Sequence, residues 1–239
     1  MIAKKNLTIK AAVLMLVLVL ITSCFVGGTF AKYVTSGSGS DTARVAKFGV
    51  TVTATGTMFA KAYTTDDTGF VDTIAKSVIS SNDDKLVAPG TKGDMARMTL
   101  TGTPEVAVKV TYDATGKVKL TNWTLADGSF YCPLVFRIKS ADGKATVIPG
   151  TGFDDATKLE NAIVEAINGY SNEYAAGTDL TEKGGESLNV SWEWLFETGD
   201  DAAAKAANNI KDTYLGNQAA KGNAATVSIG IATTVTQID

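Results

Sequence analysis

The sequence predicts a mainly β protein, an antiparallel β-sandwich with one inserted amphipathic helix and one short alanine-rich helix. Three observations predict it. Residues 45–54, 106–112, 131–139, 188–197 and 224–238 alternate apolar and polar side chains with the two-residue period of a half-buried strand. Turn signals recur roughly every 8–12 residues, the spacing of short strands in a sandwich. Strands and helices do not alternate, as they would in a parallel, doubly wound sheet.

The chain starts with a different signal. Residues 1–10 carry Lys4, Lys5 and Lys10, residues 11–21 are unbroken apolar, and the small residues Gly27, Gly28, Thr29 and Ala31 follow. A charged region, an apolar core and small residues at the cut are the layout of a secretory signal helix. The expected cleavage falls between Ala31 and Lys32, giving a signal peptide at 1–31. The apolar run is shorter than the ~20 residues a spanning helix usually needs, which disfavours a retained anchor. Ile21-Thr22-Ser23-Cys24 also has the shape of a lipoprotein box, in which Cys24 would be lipidated. The greasy Phe25 and Val26 argue against it, because a polar tether usually begins there. Membrane contact is expected only through an uncleaved signal or a lipid on Cys24.

Residues 32–44 are rich in Ser, Gly and Thr and read as a flexible segment, either a linker or a piece that orders on meeting a partner. A single β-domain is expected over 45–239. Its first strand, 45–54, puts Ala46, Phe48, Val50 and Val52 on one face. A second strand is expected within 57–63. Ala88-Pro89-Gly90 is a turn, since proline presets φ and glycine accepts positive φ. Residues 94–101 form a strand that Gly102-Thr103-Pro104 interrupts. Val106, Val108, Val110 and Tyr112 form the next, and Ala114-Thr115-Gly116 turns the chain into 117–125. Leu134, Phe136 and Ile138 share a face in the strand that follows, and Asp142-Gly143 signals a hairpin into 145–148.

Residues 153–176 break the β rhythm. Leu159, Ile163, Ile167, Tyr170 and Tyr174 recur at helical spacing, Asp154 and Asp155 suit the positive end of a helix, and Gly177 suits its stop. Such a helix is expected to pack on the sheet. Residues 188–197 place Val190, Trp192, Trp194 and Phe196 on one face. Residues 200–210 suggest a short helix, ended by Asp212-Thr213-Tyr214-Leu215-Gly216. The closing strand, 224–238, puts Val227, Ile229, Ile231 and Val235 on one face.

Composition excludes several functions. Of 22 basic residues, the three lysines before Ala31 leave with the signal, so 19 face 25 acidic ones, a net charge of −6. No Lys/Arg cluster appears, which argues against nucleic acid, where phosphates need neutralising. The chain has no histidine. That removes the Ser/His/Asp triad, the Cys/His dyad and the His-Glu-x-x-His zinc helix. Asp66-Asp67, Asp83-Asp84 and Asp200-Asp201 lack the alternating ligands of a calcium loop and read as solvated charge. Cys24 and Cys132 are the two cysteines. Processing before Lys32 leaves Cys132 alone, a buried structural thiol in expectation. The sequence predicts no enzyme, no cofactor and no metal. The sequons at Asn122 and Asn189 lie in expected strands and are set aside. Trp123, Trp192 and Trp194 are the candidate aromatic surface of a binding domain for carbohydrate or a protein partner, with core burial the competing reading.

Several short motifs resemble one family. Gly28-Thr29-Phe30-Ala31-Lys32-Tyr33, then Asp41-Thr42-Ala43-Arg44-Val45-Ala46-Lys47-Phe48, is similar to the TasA/camelysin proteins of Gram-positive bacteria, their clostridial branch in particular. Val87-Ala88-Pro89-Gly90-Thr91, Gly102-Thr103-Pro104-Glu105-Val106, Tyr131-Cys132-Pro133-Leu134, Trp192-Glu193-Trp194 and Asp212-Thr213-Tyr214-Leu215-Gly216 resemble further features of that branch. The resemblance implies a jelly-roll-type sandwich, export with a dedicated signal peptidase of the SipW type, and a place at the cell surface or in the biofilm matrix. It also implies assembly into fibres, with an N-terminal strand handed to the next subunit. Lys32, Tyr33 and Val34 would then begin the donor segment. The metallopeptidase activity described for some camelysins does not carry over to a chain without histidine.

Overall fold

The computed structural model describes residues 44–55, 58–63, 78–94, 97–140, 143–181 and 188–238. Among them the chain is mainly β, with antiparallel sheets and two α-helices. The signal helix and the 32–43 arm lie outside the described residues.

The most apolar strand is central. β11 (Asn189–Trp194) lies between β4 (Lys92–Asp94) and β8 (Leu134–Lys139), and β9 (Ala145–Pro149) closes the sheet on the far side of β8. Register places Trp192 opposite Phe136 on one side and Gly93 on the other, with Val190 opposite Ile138 and Trp194 opposite Leu134. Alternation then sends all six of the large side chains inward, and all are buried. β5 (Arg97–Thr101) continues from β4 and reaches Leu188 through a Met98–Leu188 bridge. β1 (Thr51–Thr55) pairs with β5 from Thr51↔Thr101 to Thr55↔Arg97. β2 (Ala62–Tyr63) and β3 (Val78–Ile79) form a small separate pair.

The opposing ribbon is built from two chain segments. β6 (Val108–Asp113) pairs with β13 (Ala232–Gln237), and β7 (Val118–Thr121) pairs with β12 (Thr226–Ile229). The expected turn at 114–116 is present, closed by the Lys117 amide on the Ala114 carbonyl (2.9 Å), but it forms a bulge and not a hairpin. β6 and β7 do not pair with each other; residues 114–117 bow out opposite residues 230–231, and the same partner segment continues past both. The closing strand is likewise one segment with a break at Gly230, whose amide donates to the Lys117 carbonyl (2.8 Å). β10 (Ser171–Tyr174) pairs with the other edge of β6. Val108, Val110, Val118 and Leu120 of the ribbon join Leu134, Phe136, Ile138 and Val190 in one core.

Helix α1 (Ala156–Asn168) covers the edge of β7 that faces away from β12. Asp155 caps its start, its carboxylate accepting from the amides of Thr157 and Lys158. Leu159, Ile163 and Ile167 bury their side chains. The helix stops at Gly169, not at 176. Tyr170 and Tyr174 therefore leave the helical face expected of them, because pairing with β6 draws residues 171–174 into a strand. Two polar side chains of α1 satisfy the β edge. Glu160 accepts from the Leu120 amide (2.7 Å), and Asn168 accepts from the Ala114 amide in the bulge (2.8 Å). Glu160 is itself buried. Glu160→Ala should orphan the Leu120 amide and cost about 2 kcal/mol, while Glu160→Gln keeps an acceptor and should cost less than half as much. Urea unfolding of the two variants checks this, and equal losses would contradict it.

Helix α2 (Ala202–Ala220) is longer than expected and passes through Gly216 without a break. Asp201 caps it by accepting from the Ala204 amide (2.8 Å). The first strand is shorter than expected. It begins at Thr51, and residues 45–50 run beside residue 105 instead, with the Glu105 amide donating to the Lys47 carbonyl and the Glu105 carboxylate accepting from the Lys47 amide. Phe48 and Val52 are therefore exposed and not on an inward face. β11 ends at Trp194, so Phe196 leaves the tryptophan face and is exposed.

Candidate functional site

The predicted site residues divide into two groups. Ala31, Lys32, Tyr33 and Val34, with Cys24, lie outside the described residues. Trp123, Trp192 and Trp194 are described, and they are only 1%, 1% and 5% exposed. An exposed aromatic platform on these three is therefore corrected to core. Trp192 stands between Phe59 (ring centroids 5.4 Å) and Tyr63 (6.3 Å), and Trp123 packs on Trp194 (5.8 Å). Each indole N–H is also committed. Trp192 Nε1 donates to the Met58 carbonyl (2.7 Å), Trp123 Nε1 to the Thr226 carbonyl (2.8 Å) and Trp194 Nε1 to Asp212 (3.3 Å). The two-residue spacing that marks a platform marks an inward strand face equally well, and burial of large apolar area decides for the core.

Cys132 is fully buried, and burial pushes its thiol up to about 12. A thiol held protonated is a packing group and not a nucleophile.

A half-buried carboxylate with no contact assigned from the sequence ties α2 to β11. Asp212, on α2, accepts from the Tyr131 hydroxyl (2.8 Å) as well as from Trp194. Lys211 Nζ lies 5.1 Å from the centre of the Tyr131 ring. With Leu215, these contacts fasten a helix that is otherwise largely exposed. They also explain why Asp212-Thr213-Tyr214-Leu215 continues the helix instead of ending it. Burial raises the Tyr131 phenol far above its usual range, and the Asp212 carboxylate adds to the shift. Burial raises the Asp212 carboxyl too, against the hydrogen bonds of Tyr131 and Trp194 and the Lys211 charge.

A raised carboxyl binds its proton more tightly in the folded chain than in the unfolded one. Its contribution to stability is complete below the ordinary value of about 3.9 and is lost as pH rises through the raised one. Asp212→Asn should remove that slope. The melting-temperature difference between variant and wild type should shift in the variant's favour from about pH 4 to about pH 7. A difference constant with pH would contradict the assignment.

The other acidic pairs serve local structure. Asp83 pairs with Lys61, Asp201 caps α2, and Asp154 pairs with Lys158 (2.7 Å). Asp66-Asp67 lies outside the described residues. Among the described residues, no group of three or more His, Cys, Asp or Glu could hold a metal ion, and no helix is long and apolar enough to cross a membrane. An open groove of about 610 Å³ lies between the start of β9 and the end of α1, lined by Ala145, Thr146, Glu165, Ala166, Gly169 and Tyr170. Lys144 also lines it, and the Thr146 and Tyr170 hydroxyls meet there (3.2 Å).

What the described residues do offer is strand edge. β9, β10, β12 and β13 each pair with a neighbour on one side only. Backbone amides and carbonyls on such edges are the groups through which one chain adds to another. β7 lacks that exposure, because α1 supplies Glu160 to it. In comparisons with known proteins, the chain matches no family model, no curated protein and no solved structure.

Proposed function

We propose that this chain is a secreted structural protein, a jelly-roll-type sandwich of the TasA/camelysin kind, exported to the cell surface or biofilm matrix and joined into fibres by its N-terminal arm. The observation that carries this reading is the pairing of two features. A polar, Ser/Gly/Thr-rich arm at 32–44 stands ahead of β1, and the β-domain behind it leaves strand edges paired on one side only. Backbone hydrogen bonding to such an edge supplies affinity without any dedicated pocket, and alternate side chains such as Tyr33 and Val34 set the register. The antiparallel sheets with a shared core support the sandwich part of the reading. The charged, then apolar, then small-residue pattern of residues 1–31, with a cut expected before Lys32, supports the location. A dedicated signal peptidase would act during export, and other copies of the chain are the partners thereafter.

Deleting residues 32–42 tests the reading. The processed protein should form polymer that pellets in the ultracentrifuge, and the deletion should lower the pelleted fraction at least tenfold. Its melting temperature should stay within a few degrees of wild type. Equal polymer from both proteins would overturn strand donation.

A further inference from the structure

The edges paired on one side only are not equivalent, and the longest of them lacks the usual protection; β1 (Thr-Val-Thr-Ala-Thr) also has no charge and no proline, but it is only five residues long. Exposed edges in natural sheets are shortened, charged or interrupted by proline, because an unguarded edge recruits other chains. β9 carries Pro149, β10 carries Glu173 and is four residues long, and β4 carries Lys92 and is three residues long. β12 and β13 together run from 226 to 237, Thr-Val-Ser-Ile-Gly-Ile-Ala-Thr-Thr-Val-Thr-Gln, with no charge and no proline. Their outer side is continuous past the Gly230 break. Ile238 donates to the Ala107 carbonyl and Gly230 to the Lys117 carbonyl. Antiparallel alternation then turns the amides of Val227, Ile229, Thr233, Val235 and Gln237 away from β6 and β7.

Burial points the same way. Val108, Val110, Val118 and Leu120 of β6 and β7 are fully covered, whereas Val227, Ile229, Ile231 and Val235 of the outer strands are only half-buried. The inward face thus stops short of full cover at this edge. The Thr233 hydroxyl, on the same face, is enclosed without a hydrogen-bond partner among the described residues.

We propose that the 226–237 edge is the acceptor, and that its occupant is residues 32–44 of a second copy of the chain. This rests on the strand-donation reading above and names its partner surface. The lengths agree: at about 3.3 Å per residue, a 12-residue edge spans about 40 Å and a 13-residue arm about 43 Å. The side chains agree as well. Thr226, Ser228, Thr234 and Thr236 line the exposed face of the edge. Val34, Ser36, Ser38, Ser40 and Thr42 alternate with their neighbours and would share one face once the segment pairs as a strand, and Ser/Thr rows pair favourably across strands. The opposite set is Tyr33, Thr35, Gly37, Gly39, Asp41 and Ala43, of which Tyr33 and Thr35 would bring an aromatic ring and a hydroxyl to the half-covered valines, isoleucines and Thr233. Gly37 and Gly39 on that face allow close approach.

The test uses the protein exported and processed by its own host, with p-benzoylphenylalanine in place of Tyr33 and two isotope-labelled pools mixed before assembly. Irradiated polymer should yield adducts between pools, mapped by mass spectrometry to residues 226–237. Adducts between pools on β9, β10 or β1 would overturn this acceptor while leaving donation standing. Adducts within one copy, or none on 226–237, would overturn it as well. Val235→Pro supplies the second arm. Its amide points away from β6, so the β6–β13 bonds survive, and unchanged tryptophan fluorescence verifies the fold. Pelleted polymer should fall at least tenfold in this variant; wild-type levels would overturn the assignment.

Discussion

Replacing Trp192 with alanine should cost about 3–5 kcal/mol, the range for deleting a large aromatic from a packed core. That is a large part of the stability of an ordinary domain. The indole is almost fully enclosed, touches Phe59 and Tyr63, and lies on the central strand between Phe136 and Gly93. Its N–H also satisfies the Met58 carbonyl, which truncation would leave without that donor. Trp192→Phe keeps most of the volume but loses the hydrogen bond, and should cost less than half as much. Urea unfolding of both variants measures the difference. Equal and small losses would mean that the segment carrying Met58 and Phe59 can close over the gap.

The second large effect belongs to a residue without a side chain. A Cβ on Gly93 would stand 2.1 Å from the Met58 carbonyl oxygen and 2.7 Å from Trp192 Nε1. Both atoms belong to the hydrogen bond just described, so alanine at 93 would drive its partners apart. Gly93→Ala should destabilise by about 3 kcal/mol, the upper end of ordinary overpacking. The two sites are coupled. In a Trp192→Ala background the contact with the indole disappears and only the one with Met58 remains, so the double variant should lose less than the sum of the singles. Strict additivity in a denaturant titration would contradict this geometry.

These residues show how much the sequence disclosed. β6, β8 and β11 were legible because their apolar residues alternate without interruption, and a two-residue period on a half-buried sheet has one solution. Leu159, Ile163 and Ile167 disclosed α1 for the same kind of reason. Its end was misread because Tyr170 and Tyr174 continue the helical spacing by coincidence. Tyr170 instead donates to the Ile138 carbonyl (3.1 Å), and Tyr174 sits opposite Val108. Tertiary pairing overrode local period there. α2 was cut short because Gly216 looks like a stop, and only the Asp212–Tyr131 contact, between residues distant in sequence, shows why the helix passes through it. The turn at 114–117 was legible and its setting was not: the partner segment that makes it a bulge and not a hairpin lies more than a hundred residues away.

The candidate site was legible on one side only. Composition alone suggests a flexible segment at 32–44, the proposed arm, since Ser, Gly and Thr bury little and fix little. It cannot say which edge would receive the arm, because edges exist only once strands have been paired. Spacing alone does not separate inward from outward faces of a strand; it was the large apolar area of Trp192 and Trp194 that pointed to the core, where they lie.

Electron microscopy of the protein exported by its own host, with N-terminal sequencing of the same sample, tests the central claim most directly. The account predicts fibres whose subunits begin at Lys32. Dispersed monomers that begin at Lys32, or material that begins at a lipidated Cys24 and remains on the membrane, would contradict it.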